Sequence, residues 1–303
     1  MEILYNNFPL VTIVVATYRR INSLQKAIDS LLSQTYKNIE IIVVDDNADD
    51  YWNGEVQNVI DLYKDEEKIK YIKNELNLGS ANTRNVGINN SNGEYITFLD
   101  DDDIYLPKKV ENQVLEMIKF NSDYSITDLN LYYENDDKNI IEHRTRPFLK
   151  NGDLSNLLRN HIMYHMTGTD TMMFKKSYLN KIGGFDPIDV GDEYYLMHKA
   201  ILENGKFLYI PKCYIKAFVH KGEGGLSSGE GKILGENKLY LFKKKYFGIL
   251  TRKEIKYVRM RHYAVLSFAY LRINKYGLFI LNSFKSFISY PSQCLHLFID
   301  RTR

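Results

Sequence analysis

One stretch of the chain, from Gly93 to Pro107, constrains the fold more than any other. The apolar residues Tyr95 to Leu99 predict a buried strand, and four consecutive aspartates, Asp100 to Asp103, follow it directly. Pro107 then opens a predicted helix. Because open α/β sheets place their ligands at the carboxyl ends of strands, we expect the four acids at a ligand site. Mg²⁺ and Mn²⁺ prefer carboxylate oxygens, so a metal site is predicted here, with a solvated acidic turn as the alternative.

The first part of the chain alternates between strands and helices. Apolar, β-branched runs at Leu10–Thr17, Ile39–Val44, Ile69–Lys73 and Tyr95–Leu99 predict four strands, and the segments between them predict helices. This alternation predicts an α/β fold with a doubly wound, mostly parallel sheet flanked by helices. A dinucleotide-binding fold would need a glycine-rich turn after the first strand, and Ala16–Arg20 contains no glycine.

Four short motifs follow one another between Thr17 and Asp103. They are Thr17-Tyr18 with Ser33–Tyr36, Asp45-Asp46, Gly79–Asn85 and Phe98–Asp103. In this order and spacing they resemble the family 2 glycosyltransferases, which have the GT-A fold. The resemblance implies an inverting enzyme that takes a sugar from a nucleotide-diphospho-sugar and moves it to an acceptor hydroxyl.

A segment in the second half extends the resemblance. Gly183-Gly-Phe-Asp186 precedes Asp192-Glu193-Tyr194, and the family has such an acidic pair at the start of a helix, most often as Glu-Asp. One acid of the pair would deprotonate the acceptor as general base. We predict Glu193 for this role and Asp192 as the alternative. Acids also open helices for structural reasons, because the helix dipole favours negative charge there.

The nucleotide part of the donor is expected to contact Thr17, Tyr18, Asp46 and Arg84. The Asp46 carboxylate can accept the N3–H of uracil or thymine, and the Tyr18 ring can stack on the base. Arg84 is predicted in the first turn of a helix, where backbone amides already favour phosphate. These contacts favour a UDP-sugar, with dTDP as the alternative. A helix cap is the other interpretation of Asp46, and a surface ion pair that of Arg84.

The metal site is assigned from the resemblance. Asp102 matches the metal-binding acid of the family motif, whereas Asp100 and Asp101 match positions that contact the ribose and the sugar. His220 follows a predicted strand and is expected to be a third ligand or a diphosphate contact, with a structural histidine as the alternative. Mn²⁺ or Mg²⁺ would stabilise the charge on the departing diphosphate.

The chain is predicted to contain two domains. Residues 1–221 would form the GT-A catalytic domain, residues 222–235 a flexible glycine-rich loop, and residues 236–303 a basic, aromatic helical region. From Lys238 to Arg303 fourteen basic residues face two acids, a net charge of +12 in a chain whose total is +2. This region is predicted to contact an anionic membrane surface. Packing against the catalytic domain or in a homodimer is the alternative.

Composition narrows location and function. Two cysteines without metal-ligand spacing suit a reducing cytosol, and neither a signal peptide nor a transmembrane run is evident. We therefore expect a cytoplasmic protein, peripheral on the inner face of the membrane, that acts on a glycan or a polyprenol-linked acceptor. The alternative from a different class is a non-catalytic nucleotide-sugar or glycan-binding module. A glycosidase would not need the upstream motifs, and the acidic body argues against a nucleic-acid partner.

Overall fold

The computed structural model describes residues 8–134, 136–149, 156–188, 190–219 and 229–301. They divide into two compact units. The sheet unit contains the described residues up to 149 together with 167–188 and 192–219. The helical unit contains residues 156–166, 190–191 and 229–301.

The strands of the sheet unit form one mixed sheet. They are β1 (Val11–Thr17), β2 (Ile39–Asp45), β3 (Ile69–Lys73), β4 (Tyr95–Asp100), β5 (Ile104–Tyr105), β6 (Tyr124–Tyr133), β7 (Asp136–Arg144), β8 (Met172–Lys175) and β9 (Phe207–Val219). Their order is β3-β2-β1-β4-β8-β6-β9-β5, and β7 pairs with β6. The first four strands are parallel, whereas β8 is antiparallel to both β4 and β6.

The helices of the sheet unit connect these strands. They are α1 (Ile21–Leu32), α2 (Asp50–Asp61), α3 (Ser80–Asn89), α4 (Lys109–Phe120), α6 (Lys176–Lys181) and α7 (Asp192–Leu202). Helix α1 buries Leu24, Ile28 and Leu31, the stripe that its helical spacing predicts. Val11, Ile13 and the apolar residues of β2 and β4 are also buried, so the central strands are covered on both faces. The predicted α/β alternation is therefore confirmed.

The helical unit contains α5 (Leu157–Tyr164), α8 (Gly229–Lys244), α9 (Arg252–Arg272), α10 (Tyr276–Ser289) and α11 (Pro291–Arg301). Helix α9 begins with a capping box, in which the Thr251 hydroxyl accepts from the Glu254 amide and the Glu254 carboxylate accepts from the Thr251 amide. None of the described helices combines the length and the apolarity needed to cross a bilayer.

The two compact units differ in two details from the predicted domain division, which stays a prediction. Helix α5 groups with the C-terminal helices, although the prediction assigned it to the catalytic domain. Helix α8 begins at Gly229, so residues 229–235 of the predicted flexible loop are helical. Gly235 serves close packing there, because a Cβ at this position would lie 2.4 Å from the Cβ of Val190. Residues 222–228 of the predicted loop lie outside the described residues.

Candidate active site

The carboxyl ends of three adjacent strands meet at one edge of the sheet. Thr17 at the end of β1 pairs with Asp45 at the end of β2, and Ala16 pairs with Asp100 at the end of β4. This register brings the Thr17-Tyr18, Asp45-Asp46 and Asp100–Asp103 segments together, as parallel strand order requires. The three segments that contain the predicted site residues therefore lie near one another.

Arg84 on α3 connects this edge to the start of α7. Its Nη2 lies 2.6 Å from Asp100 Oδ1, and its Nη1 lies 2.6 Å from Asp192 Oδ2. The Arg84 side chain is 10% exposed. Burial acts to lower the pKa of Arg84, but Asp192 and Asp100 outweigh it and raise the pKa. We call these three residues the Arg84 bridge. Each terminal nitrogen of Arg84, the predicted phosphate contact, thus already has one carboxylate partner.

Two further motifs contact each other beside the Arg84 bridge. Asn85 donates from Nδ2 to the Phe185 carbonyl at 2.8 Å and accepts from the Phe185 amide at 2.9 Å. Gly184 has φ +61°, and a Cβ there would lie 2.6 Å from Asn85 Oδ1. Glycine is therefore required at this position both for the backbone conformation and for the close approach. These contacts hold Gly184 and Phe185 against α3.

Asp46 organises the loop between β3 and α3. Its Oδ1 accepts from Asn74 Nδ2 at 2.8 Å and from the Leu78 amide at 2.8 Å, and its Oδ2 accepts from the Gly79 amide at 3.0 Å. Asp46 is 4% exposed. Each carboxylate oxygen has two lone-pair positions, so Oδ2 can take a further donor such as a base N–H.

Tyr18 lies at the same edge with an exposed ring. Its amide donates to Asp101 Oδ2 at 3.2 Å, and Thr17, the preceding residue, is buried. Burial raises the pKa of Asp101 to about 7, and Asp102 adds to this shift. The Tyr18 ring is 45% exposed and has the Arg19 guanidinium 5.0 Å from its centroid, whereas the Asp101 carboxylate accepts from the backbone after β1.

The acids group differently from the prediction. Asp100, Asp103 and Asp170 offer carboxylate oxygens that lie within 4.8 Å of one another, close enough to share one cation. Asp102 is not part of this group, and its Oδ2 lies 3.1 Å from Arg20 Nη1. His220, the other predicted metal ligand, lies outside the described residues.

The chemistry of this acidic cluster fits a divalent cation. Burial raises the pKa of Asp103 well above its usual range, and the neighbouring Asp170 adds to the effect. Burial also raises the pKa of Asp170. Neighbouring carboxylates repel one another when they are charged, and bound protons remove that repulsion. A hard cation between the oxygens would remove it as well, because its positive charge neutralises the carboxylates. Asp170 was not predicted; it lies in a short 3₁₀ turn, Thr169–Thr171, that carries no recognisable motif.

A buried lysine is linked to the acidic cluster through the hydroxyl of Tyr105. Lys109, the first residue of α4, is fully buried and donates from Nζ to Thr97 Oγ1 at 2.5 Å and to the Tyr105 hydroxyl at 2.6 Å. The same hydroxyl lies 3.0 Å from the Asp170 carbonyl oxygen. Burial lowers the pKa of Lys109 well below its usual range, and Asp170 opposes this shift. The sequence analysis missed this residue, since a lysine at a helix start usually faces solvent.

The two acids at the start of α7 have different surroundings. Asp192 is 5% exposed, is held by Arg84, and accepts on Oδ1 from the Glu193 amide at 2.9 Å. Burial raises the pKa of Asp192 to about 7 against the pull of Arg84. Glu193 is only half-buried. A substrate can therefore reach Glu193 more easily than Asp192.

A comparison with protein families matches residues 12–183 to the model for glycosyl transferase family 2. The chain belongs to glycosyl transferase family 2. This match covers the edge of the sheet, Arg84 and the acidic cluster, and it confirms the family that the motifs predicted. The prediction of a glycosyltransferase enzyme is confirmed at the level of the family, because curated relatives also carry that description.

Two relatives show how similar this family 2 member is to other proteins and how much of each chain the similarity covers. An uncharacterised glycosyltransferase of Rickettsia bellii is 31% identical over 221 residues, which are 72% of this chain and 31% of that protein. The GalNAc(5)-diNAcBac-PP-undecaprenol beta-1,3-glucosyltransferase of Campylobacter jejuni is 34% identical over 172 residues, covering 56% of this chain and 53% of that protein. The chain thus spans less than a third of the Rickettsia bellii relative and about half of the Campylobacter one.

Solved structures confirm the GT-A type fold class. S. aureus TarS 1-349 in complex with UDP-GlcNAc has a TM-score of 0.60 at 16% identity, covering 92% of this chain and 91% of that one. The mannosyltransferase PcManGT from Pyrobaculum calidifontis, in complex with GDP-Man and Mn²⁺, has a TM-score of 0.55 at 15% identity, covering 97% and 76%. At these identities the likeness concerns the fold.

Proposed function

We propose that this chain is an inverting glycosyltransferase that moves a sugar from a UDP-sugar to an acceptor hydroxyl. The observation that carries the proposal is the Arg84 bridge, which joins the strand-end acids to the helix that bears Glu193. A donor held at Asp100 and an acceptor held at Glu193 would be kept in one fixed relation by this bridge. Fixed relative geometry is what a bimolecular transfer requires of an enzyme.

The donor nucleotide is proposed to bind at Thr17, Tyr18, Asp46 and Arg84. The Tyr18 ring would stack on the base, and Asp46 Oδ2 would accept the uracil N3–H. Arg84 would contact the diphosphate through its guanidinium while its carboxylate partners keep it in place. The TarS structure is a complex with UDP-GlcNAc, which supports UDP, whereas the PcManGT structure is a complex with GDP-Man. We retain UDP as the favoured nucleotide and dTDP as the alternative, because Asp46 matches a pyrimidine N3–H.

A divalent cation, Mn²⁺ or Mg²⁺, is proposed to bind among the strand-end acids. Asp100, Asp103 and Asp170 would hold it, and Asp102, the ligand predicted from the motif, would join after releasing Arg20. When bound, such a cation neutralises charge on the leaving diphosphate. His220 remains a predicted ligand. The PcManGT structure is a complex that includes Mn²⁺, which supports this class of cofactor.

Glu193 is proposed as the general base. It would take the proton of the acceptor hydroxyl as the acceptor oxygen forms its bond to the anomeric carbon. The bond from that carbon to the diphosphate breaks in the same displacement, so the configuration inverts and UDP leaves with the bonding electrons. Asp192 stays the alternative base, although its ion pair with Arg84 suits a positioning residue better.

The acceptor is proposed to be a glycan or a polyprenol-linked sugar, and the location the cytoplasmic face of the membrane. The Campylobacter relative is named for an undecaprenol-linked substrate, which supports such an acceptor. The net charge of +12 from Lys238 to Arg303 supports contact with an anionic leaflet. A non-catalytic nucleotide-sugar-binding module is the second candidate. The acids at the strand ends and the acidic pair at the start of α7 argue for turnover instead.

A thermal-shift panel of UDP-, GDP-, dTDP- and CMP-sugars, with and without Mn²⁺, tests the donor. We expect the largest rise in unfolding midpoint with a UDP-sugar and Mn²⁺ together. An assay of donor hydrolysis that measures UDP release then distinguishes an enzyme from a binding module. A midpoint shift without any UDP release, with or without candidate acceptors, would favour the module.

A further inference from the structure

Helix α10 reverses the usual distribution of apolar residues. Ile280, Phe284 and Ile288 are 64%, 61% and 61% exposed, and Leu281 and Phe287 are also exposed. We call these five residues the outer face of α10. Positions 280, 284, 287 and 288 follow one stripe of a helix. In a soluble protein such a stripe normally faces the core, so something apolar is expected to cover it.

The inner face of α10 is polar and small. Asn282 and Ser286 are the buried residues of this helix. The Ser286 hydroxyl donates to the Met260 carbonyl of α9 at 2.9 Å, and Asn282 Nδ2 donates to the Leu278 carbonyl at 2.8 Å. Small and hydroxyl-bearing residues between helices, with large apolar residues outside, are typical of helices that pack within lipid.

The length of α10 limits how it can meet lipid. Fourteen residues rise about 21 Å, less than the roughly 30 Å of a bilayer core. The helix is therefore suited to lie in the plane of the interface, with its apolar face at the boundary of headgroups and acyl chains. Tyr276 at its start is 58% exposed, and aromatic residues with a polar tip favour this depth.

The outer face could be covered by a lipid surface or by a second copy of the chain, and the charge of the region distinguishes between these two partners. The region from Lys238 to Arg303 carries +12, and Glu254, one of its two acids, is paired with Arg159 at 2.5 Å. Lys285 lies on α10 itself and is exposed, with its Nζ 5.5 Å from the centroid of the Tyr263 ring on α9. Two such surfaces would repel each other, whereas an anionic leaflet attracts each of them.

We propose that the outer face of α10 inserts into the interface of an anionic phospholipid membrane. The proposal deepens the membrane contact included in the proposed function, and it is independent of sugar transfer. The face supplies apolar area, and the net positive charge of the region from Lys238 to Arg303 supplies attraction to the leaflet.

Flotation of the full chain with vesicles tests this proposal. Vesicles of phosphatidylcholine alone are compared with vesicles that also contain phosphatidylglycerol. We expect binding to the anionic vesicles that weakens as salt is raised. The double variant Phe284→Gln/Ile288→Gln should lower the partition coefficient by about tenfold or more, because each side chain loses apolar burial. Leu62→Gln is the matched control, since Leu62 is 64% exposed at the end of α2, and it should leave binding unchanged.

A second readout reports insertion directly. Trp52 is the only tryptophan, so a Trp52→Phe chain with Phe284→Trp carries a single probe on the outer face. Its emission should shift to the blue with anionic vesicles, whereas a Leu62→Trp probe should not shift. Absence of flotation and of the shift would overturn the proposal. So would a dimer in light scattering that Phe284→Gln/Ile288→Gln abolishes while the wild type ignores vesicles. UDP-sugar binding by the same variants reports on the proposed function separately.

Discussion

The Arg84 bridge predicts a large and specific loss of stability in Arg84→Met. Methionine keeps much of the side-chain volume and removes the charge, which leaves Asp100 and Asp192 without their cation. Asp192 is 7% exposed in its side chain and Asp100 is 37% exposed. Breaking a buried ion pair costs about 3–5 kcal/mol, whereas the partly solvated Asp100 pair adds little. We therefore expect a loss of about 3 kcal/mol, at the lower end of that range, most of it from Asp192.

Thermal unfolding of the purified chain measures this loss. For a unit of this size, about 3 kcal/mol corresponds to a midpoint lowered by roughly 6–12 °C. Lys181→Met is the control in the same unit, because its pair with Glu203 is exposed on both sides at 59% and 46%. It should cost less than about 1 kcal/mol.

A double variant isolates the interaction between Arg84 and Asp192. Asp192→Asn removes the buried charge, so Arg84→Met/Asp192→Asn should be less destabilised than the sum of the single variants, by about 2 kcal/mol. Strict additivity, or an Arg84→Met midpoint equal to that of Lys181→Met, would refute the reasoning that the bridge holds the two segments together.

Three further outcomes are expected. Glu193→Gln should lose transfer by at least about 10²-fold while still binding the donor; an inactive Asp192→Asn beside an active Glu193→Gln would exchange the two roles. Asp170→Asn and Asp102→Asn should both raise the Mn²⁺ concentration needed for half-maximal UDP release, and full activity in excess chelator would contradict metal dependence. Burial lowers the pKa of His198 to about 4, so the folded state favours the neutral ring. The stability that this ring contributes is complete above pH 6.5 and falls by up to about 3 kcal/mol towards pH 4; His198→Gln should lack this part of the slope in urea unfolding, and identical slopes would contradict it.

The central strands and the segments at their ends could be predicted because their signals are local. Continuous apolar runs identify strands that are buried on both faces, and parallel strand order requires that their carboxyl ends meet. Thr17, Asp46 and Asp100 were therefore predicted from sequence as contacts of one donor. The acidic pair at Asp192-Glu193 was likewise assigned to a helix start, where α7 does begin.

The partners of these residues could not be predicted in the same way. Arg84 was assigned to phosphate from its place in a motif, but its carboxylate partner Asp192 lies 108 positions away. Asp170 joins Asp100 and Asp103 only because β8 pairs with β4 and carries the preceding 3₁₀ turn to the same edge. The distribution of apolar residues on α10 was visible in sequence, but which face is buried was not.

The sequence by itself determined the alternation of strands and helices, the family, and the side chains offered at the edge of the sheet. These properties depend on residues that are neighbours in the chain, whose spacing sets strand and helix periodicity. Only the tertiary structure decided that Arg84 pairs with two acids, that Asp170 lies with Asp100 and Asp103, and that α10 turns its apolar face outward. Each of these depends on which surfaces pack together, and packing selects contacts between residues far apart in the chain.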